Sequence, residues 1–134
     1  MANQLALRVL ARPGTLLIAG RRSHVVAYEN GAGAYNTGAQ GFPVDDEGGV
    51  IPPEVVGWVV AAAQHHQPRP SLVCLENTHL AASGAVVPVE LVRAVAGEAA
   101  AAGIGVHLDG ARLWHAEVAT GTSVWPPIRS GVPG

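Results

Sequence analysis

The stretch G-V-H-L-D-G-A-R-L-W, Gly105 to Trp114, decides how the chain is read. Its first half is a short apolar strand, Gly105 to Asp109, that ends in an acid. Gly110 then turns the chain into a segment with helical spacing. A strand that delivers a carboxylate at its C-terminal end, where the chain enters a helix, puts that carboxylate where open α/β sheets hold their ligands. Asp109 is therefore a candidate functional residue. Taken alone, the same acid could equally cap the helix, with Arg112 as its solvated partner.

Working outward, the pattern of a strand followed by a helix repeats. Upstream of Gly105, helical spacing runs from Val89 to Ala102, opened by Pro88 and Glu90 and stopped by Gly103. Before that lies a buried strand, Ser71 to Glu76, followed by the polar loop N-T-H. Pro53 to Gln64 reads as a helix with Pro at its start and Glu54 in its first turn. F-P-V, residues 42–44, is a brief strand before the turn D-D-E-G-G. Residues 20–41 form a Gly-rich loop with a short helical piece over Val25 to Glu29. At the N-terminus, Ala2 to Arg12 is a helix stopped by Pro13-Gly14, and Thr15 to Ala19 is a buried strand. Downstream, Ala111 to Ala119 is a helix ending before Gly121. Strands alternating with helices of this length predict an α/β fold with a mostly parallel sheet flanked by helices.

The composition fits a single domain of 134 residues, with 49% hydrophobic and 13% charged residues, so most elements are expected to be covered on several sides. No apolar run approaches the roughly 20 residues of a membrane span. The first dozen residues lack the layout of a signal peptide. A net charge of −2 without a basic cluster excludes an electrostatic footprint for nucleic acid or anionic membrane. Cys74, the single cysteine, lies in the apolar run S-L-V-C-L-E and reads as a buried, inert thiol, in keeping with a reducing cytoplasm. All eight basic residues are arginine.

Four polar groups fall at strand ends or in loops: Ser23-His24, His65-His66 with Arg69, Glu76 to His79, and Asp109 with Arg112. In an α/β sheet such positions are expected to converge on one edge. A metal site is disfavoured, because there is no H-E-x-x-H, no cysteine pair and no facial-triad spacing. A serine triad is disfavoured by the lack of a G-x-S-x-G elbow. His107 reads as a hydrogen-bonded core histidine, and His115 and His65 as bland. Trp58, Trp114 and Trp125 read as packing residues.

Taken in order and spacing, Y-E-N-G-A-G-A, H-x-P-R, L-E-N-T-H and H-L-D-G-A-R-L-W resemble the low-specificity L-threonine aldolases, also grouped as aromatic amino acid β-eliminating lyases. The resemblance covers about residues 1–121. It implies the aspartate aminotransferase-like fold of type I pyridoxal phosphate (PLP) enzymes, with residues 1–121 the central part of the PLP-binding large domain and residues 122–134 an irregular tail that departs from the family. It further implies that Asp109 pairs with the pyridine nitrogen, that His24 stacks on the ring and that His66 lies near the substrate hydroxyl. There a neutral imidazole can take a proton. Arg112 would hold the substrate carboxylate or the cofactor's surroundings. The implied reaction is cleavage of a β-hydroxy amino acid, L-threonine or L-allo-threonine, to glycine and acetaldehyde. The family's homo-oligomeric state is implied as well.

Two family parts are missing. The phosphate-binding S-G-T-M-A-N is represented only by M-A-N, and the Schiff-base lysine of the family's S-K-G motif has no counterpart, because the chain contains no lysine. Arginine does not substitute, since it stays protonated. The expectation is a truncated large domain without independent activity, with unpaired strand edges and apolar faces open to association. The competing readings are a non-catalytic remnant or interaction module, and another PLP enzyme of the same fold, such as a β-eliminating lyase.

Overall fold

The computed structural model describes residues 1–63 and 66–123. Among the described residues, six α-helices and four β-strands follow one another: α1 (Ala2–Leu10), β1 (Leu16–Gly20), α2 (His24–Ala27), α3 (Ala32–Thr37), β2 (Gln40–Val44), α4 (Pro53–Ala62), β3 (Pro70–Glu76), α5 (Val89–Ala101), β4 (Gly105–Asp109) and α6 (Leu113–Thr120). The strands form one parallel sheet in the order β2-β1-β3-β4. The expected class is thus observed. The chain moves from β1 outward to β2 and then returns to the far side of β1. The order therefore reverses between β1 and β3, the kind of point where open α/β sheets bind ligands beyond their carboxyl ends.

Alternation along the strands sorts the core onto two faces. Leu16 and Ile18 of β1 and Val73 and Leu75 of β3 face Val56 and Val59 of α4 and Val95 and Ala99 of α5. Leu17 and Ala19 of β1 and Leu72 and Cys74 of β3 face Leu7 of α1, with Val25 and Val26 of α2 at the margin. Each strand of the central pair is buried on both sides, which is why it reads as a continuous apolar run. Pro53 opens α4, and Gly103 and Gly121 take positive φ just beyond the ends of α5 and α6, as the sequence signals predict.

Three expectations need correction. The Gly-rich segment contains α3, a helix whose A-G-A-Y-N-T composition carries no clear period; its flanking Gly31 and Gly38 supply left-handed turns. The strand β2 starts two residues earlier than F-P-V, at Gln40. Trp58 and Trp114 are not packed: they are 63% and 65% exposed, because α4 turns Val56 and Val59 inward and α6 buries only Ala116. Trp125 lies outside the described residues. Leu5 and Val9 of α1, Tyr35 of α3 and Val118 of α6 are exposed too, and β2 and β4 form the sheet's two edges. No helix among the described residues is long and apolar enough to cross a membrane.

Candidate functional site

The C-terminal ends of the four strands deliver Ser23-His24 after β1, Asp46 after β2, Glu76 to His79 after β3, and Asp109 with Arg112 after β4. Glu76 and Asp109 are register partners, so their side chains leave the sheet on the same face, the one covered by α1. His24 and Glu76 meet across the reversal between β1 and β3. The backbone N–H of His24 donates to Glu76 Oε2 at 2.8 Å, and Leu80 N–H donates to Glu76 Oε1 at 2.9 Å. Arg112 Nη1 lies 3.9 Å from the same Oε1. Glu76 thus gathers His24 and Arg112 around one buried carboxylate.

Asp109 is held from two directions. Ala111 N–H donates to Oδ1 at 3.1 Å, and Asn3 Nδ2 donates to Oδ2 at 2.7 Å. The first bond is a local turn rather than a helix cap, since α6 begins later, at Leu113, without a side-chain cap. His24 is oriented by Glu29: Nδ1 lies 2.8 Å from Oε1, leaving Nε2 free of that bond. Asn3 and Gln4 also donate to the Glu29 carboxylate.

A second buried cluster flanks this one. His79 is 1% exposed, with Nε2 3.1 Å from Asp46 Oδ2 and 3.9 Å from Glu76 Oε2, and its Nδ1 accepts from Ala82 N–H. The Nε2 contact is close but poorly aligned, so it counts as an ion-pair proximity rather than a hydrogen bond. Asp46 is further met by the backbone N–H and the guanidinium of Arg22. The enclosed space beside Glu76, lined by Gly49, Leu75, Val87 and Val95, measures about 10 Å³, room for no more than a water.

The structure places His24, Asp109, Arg112 and Glu76 together at the C-terminal ends of the strands. The sequence reading misplaces His66 and Arg69. Both precede β3, and the Arg69 carbonyl accepts from Leu16 N–H at the start of β1, so they lie at the opposite edge of the sheet, about 20 Å of strand away from Glu76. The expected convergence of all four groups fails because H-x-P-R enters a strand instead of leaving one. His65 lies outside the described residues. Asn3, Glu29, Asp46 and His79 take part without an individual role in the sequence reading, although each stands in a quoted stretch: M-A-N, Y-E-N-G-A-G-A, D-D-E-G-G and L-E-N-T-H.

Electrostatics follow from burial. Burial pushes the Glu29 carboxyl up, but the bonds from Asn3, Gln4 and His24 outweigh it and hold it below the ordinary carboxyl range. Burial pushes His107 down, against the opposing pull of Asp109 and Glu29. Burial, with Glu29 and Asp109 adding to it, pushes the Cys74 thiol up to about 12, which makes it inert as expected.

Both Glu29 and His107 bind protons more weakly folded than unfolded, so folding is favoured by raising the pH. The His107 contribution is complete above its unfolded value of 6.5 and is lost as the pH falls through the lower folded value. The Glu29 contribution is complete above 4.5 and is lost below it in the same way. Urea midpoints measured against pH are expected to decline first below 6.5 and again below 4.5, and His107→Gln is expected to remove the first decline. An unchanged first decline in that variant contradicts the assignment.

The family model described as beta-eliminating lyase matches residues 1–126. The chain belongs to the beta-eliminating lyase family. Members of this family generally depend on PLP. A probable low-specificity L-threonine aldolase of Schizosaccharomyces pombe is 36% identical over 125 residues, covering 91% of this chain and 32% of the relative. An alanine racemase of Cochliobolus carbonum is 38% identical over 125 residues, covering 90% of this chain and 31% of the relative. A Leishmania major threonine aldolase structure superposes with a TM-score of 0.79 at 23% identity, covering 87% of this chain and 33% of that one. The fold is that of a type I enzyme, and the chain spans about a third of the length of the curated relatives it matches.

Proposed function

We propose that this chain forms the cofactor-ring floor of a PLP-dependent lyase of the threonine aldolase type, acting on L-threonine or L-allo-threonine. The observation that carries the reading is Asp109: one oxygen is fixed by backbone, and the other already faces an N–H donor, the same kind of partner as a protonated pyridine nitrogen. The named activities of the relatives support it, since aldol cleavage and racemisation each break a bond at the α-carbon of an amino acid. PLP supplies the electron sink that such bond breaking needs.

In this reading Asp109 keeps the pyridine nitrogen protonated, and His24, oriented by Glu29, lies against the ring. Arg112 offers its half-buried guanidinium to the substrate carboxylate. His66 lies on the other edge of the sheet, so this reading leaves its expected place near the substrate hydroxyl without support from the same strand ends. Residues 1–121 are the large-domain part and residues 122–134 the departing tail. The setting is cytoplasmic, without nucleic acid or membrane partners. The residues present fit the ring but not its covalent attachment, because no lysine exists in the chain.

Pyridoxine 5′-phosphate tests the floor directly: it lacks the aldehyde and needs no lysine. Saturable binding by calorimetry is expected, with Asp109→Asn weakening it about tenfold, the size of one lost charge-assisted hydrogen bond. Equal affinity of the variant, or no saturable binding, overturns the reading. A second reading, a non-catalytic module that keeps the fold, predicts no binding of the probe.

A further inference from the structure

The carboxamide of Asn3, in the first turn of α1, stands between the groups assigned above. Its Nδ2 donates to Asp109 Oδ2 at 2.7 Å and to Glu29 Oε1 at 2.8 Å, and its Oδ1 lies 3.0 Å from His107 Nε2. A primary amide has two N–H bonds and one oxygen. The reverse orientation would aim that oxygen at two carboxylates, so the network selects this one. With both N–H bonds spent on acids, the oxygen accepts from His107, which requires the ring proton of His107 on Nε2. Glu29 Oε1 passes the connection on to Nδ1 of His24.

We propose that Asn3 is a positioning residue that ties Asp109 to His24 through Glu29, so that the ring-nitrogen carboxylate and the ring-face imidazole are held as one unit. The inference rests on the cofactor reading of Asp109 and His24, but the bridge belongs to the chain without cofactor. Asn3 does not block the acid. A carboxylate offers about four lone-pair sites, and the bonds from Asn3 and Ala111 use two, leaving room for a pyridine N–H on Oδ2. Other residues act more narrowly: Gln4 donates only to Glu29, on its other oxygen, and touches neither Asp109 nor His107. The low-lying Glu29 carboxyl, with Asn3 the foremost of the bonds lowering it, agrees with the bridge.

The test uses the full 134-residue chain without cofactor, labelled with nitrogen-15 and carbon-13 and followed by NMR. In the wild type, the imidazole nitrogen shifts are expected to show neutral His107 with its proton on Nε2; the Nδ1–H form overturns the proposal without any variant. In Asn3→Ala and in the isosteric Asn3→Asp, the Glu29 titration is expected to move upward and the single His107 tautomer to be lost. Gln4→Ala is expected to move Glu29 alone. An unchanged Glu29 and His107 in the Asn3 variants, or the same changes in Gln4→Ala, shows Asn3 to be a mere part of helix docking and overturns the proposal. Failure of pyridoxine 5′-phosphate to bind the wild type sinks the cofactor reading but leaves these titrations as they are, so the two failures are told apart.

Discussion

The purified chain, given PLP and L-threonine, is expected to release no acetaldehyde above the background of free PLP, measured by coupling to alcohol dehydrogenase. The reason is chemical rather than architectural. Covalent catalysis by an amine needs a side-chain nitrogen that can lose its proton near neutral pH, and lysine does so when burial or charge lowers its affinity. All eight basic residues here are arginine, whose guanidinium stays protonated in proteins. The histidines that could move protons are present, and His24 is well oriented by Glu29, but proton transfer contributes only about 10² to 10⁴-fold and acts on a substrate already attached. In the proposed reading Asp109 and Arg112 orient without attaching. Acetaldehyde release that requires the chain, scales with its concentration and disappears in Asp109→Asn would show that attachment is achieved by another group and would overturn the prediction.

How much of this was legible in sequence depended on how local the signal was. Strand β4 was read with its boundaries because Gly105, the apolar pattern and Asp109 all lie within five residues. The helices α4 and α5 announced themselves through Pro and Glu at their starts. By contrast, α3 is built from small and polar residues and owes its helix to its left-handed glycine flanks and its packing on α1, neither of which leaves a period. The site divided in the same way. His24, Asp109 and Arg112 sit in motifs at strand ends, whereas Asn3 meets Asp109 across 106 residues of sequence, a relation that no spacing encodes. His66 shows the converse error: a polar loop next to a strand was read as a strand exit although it is an entry, and in a parallel sheet that difference moves a residue to the opposite edge. Size alone marks Trp58 and Trp114 as packing residues, but α4 buries Val56 and Val59 and α6 buries Ala116, leaving both rings outside.

Gly49→Ala is expected to cost about 3 kcal/mol, against about 1 kcal/mol for Gly48→Ala one residue earlier, both measured as urea-midpoint shifts. The two glycines share a positive φ, +64° at Gly48 and +85° at Gly49, so each pays the left-handed penalty of a side chain. They differ in surroundings. A Cβ on Gly48 meets nothing within 4 Å, whereas one on Gly49 would stand 2.5 Å from the Cβ of His79 and 2.7 Å from its Cγ. His79 cannot step aside cheaply: it is buried, its Nδ1 accepts from Ala82 N–H, and its Nε2 lies between Asp46 and Glu76. Relief by moving the loop would instead stretch the bond from Gly49 N–H to the Asp46 carbonyl and disturb the carboxylate that the Arg22 guanidinium holds. The difference between the neighbours therefore isolates the close approach from the backbone term. Because Glu76 anchors the His24 backbone, the Gly49 variant is also expected to shift the His24 ring resonances, and the Gly48 variant to leave them in place. Equal losses at the two positions would mean that the turn yields freely and that the His79 cluster is not the rigid support of the strand-end floor.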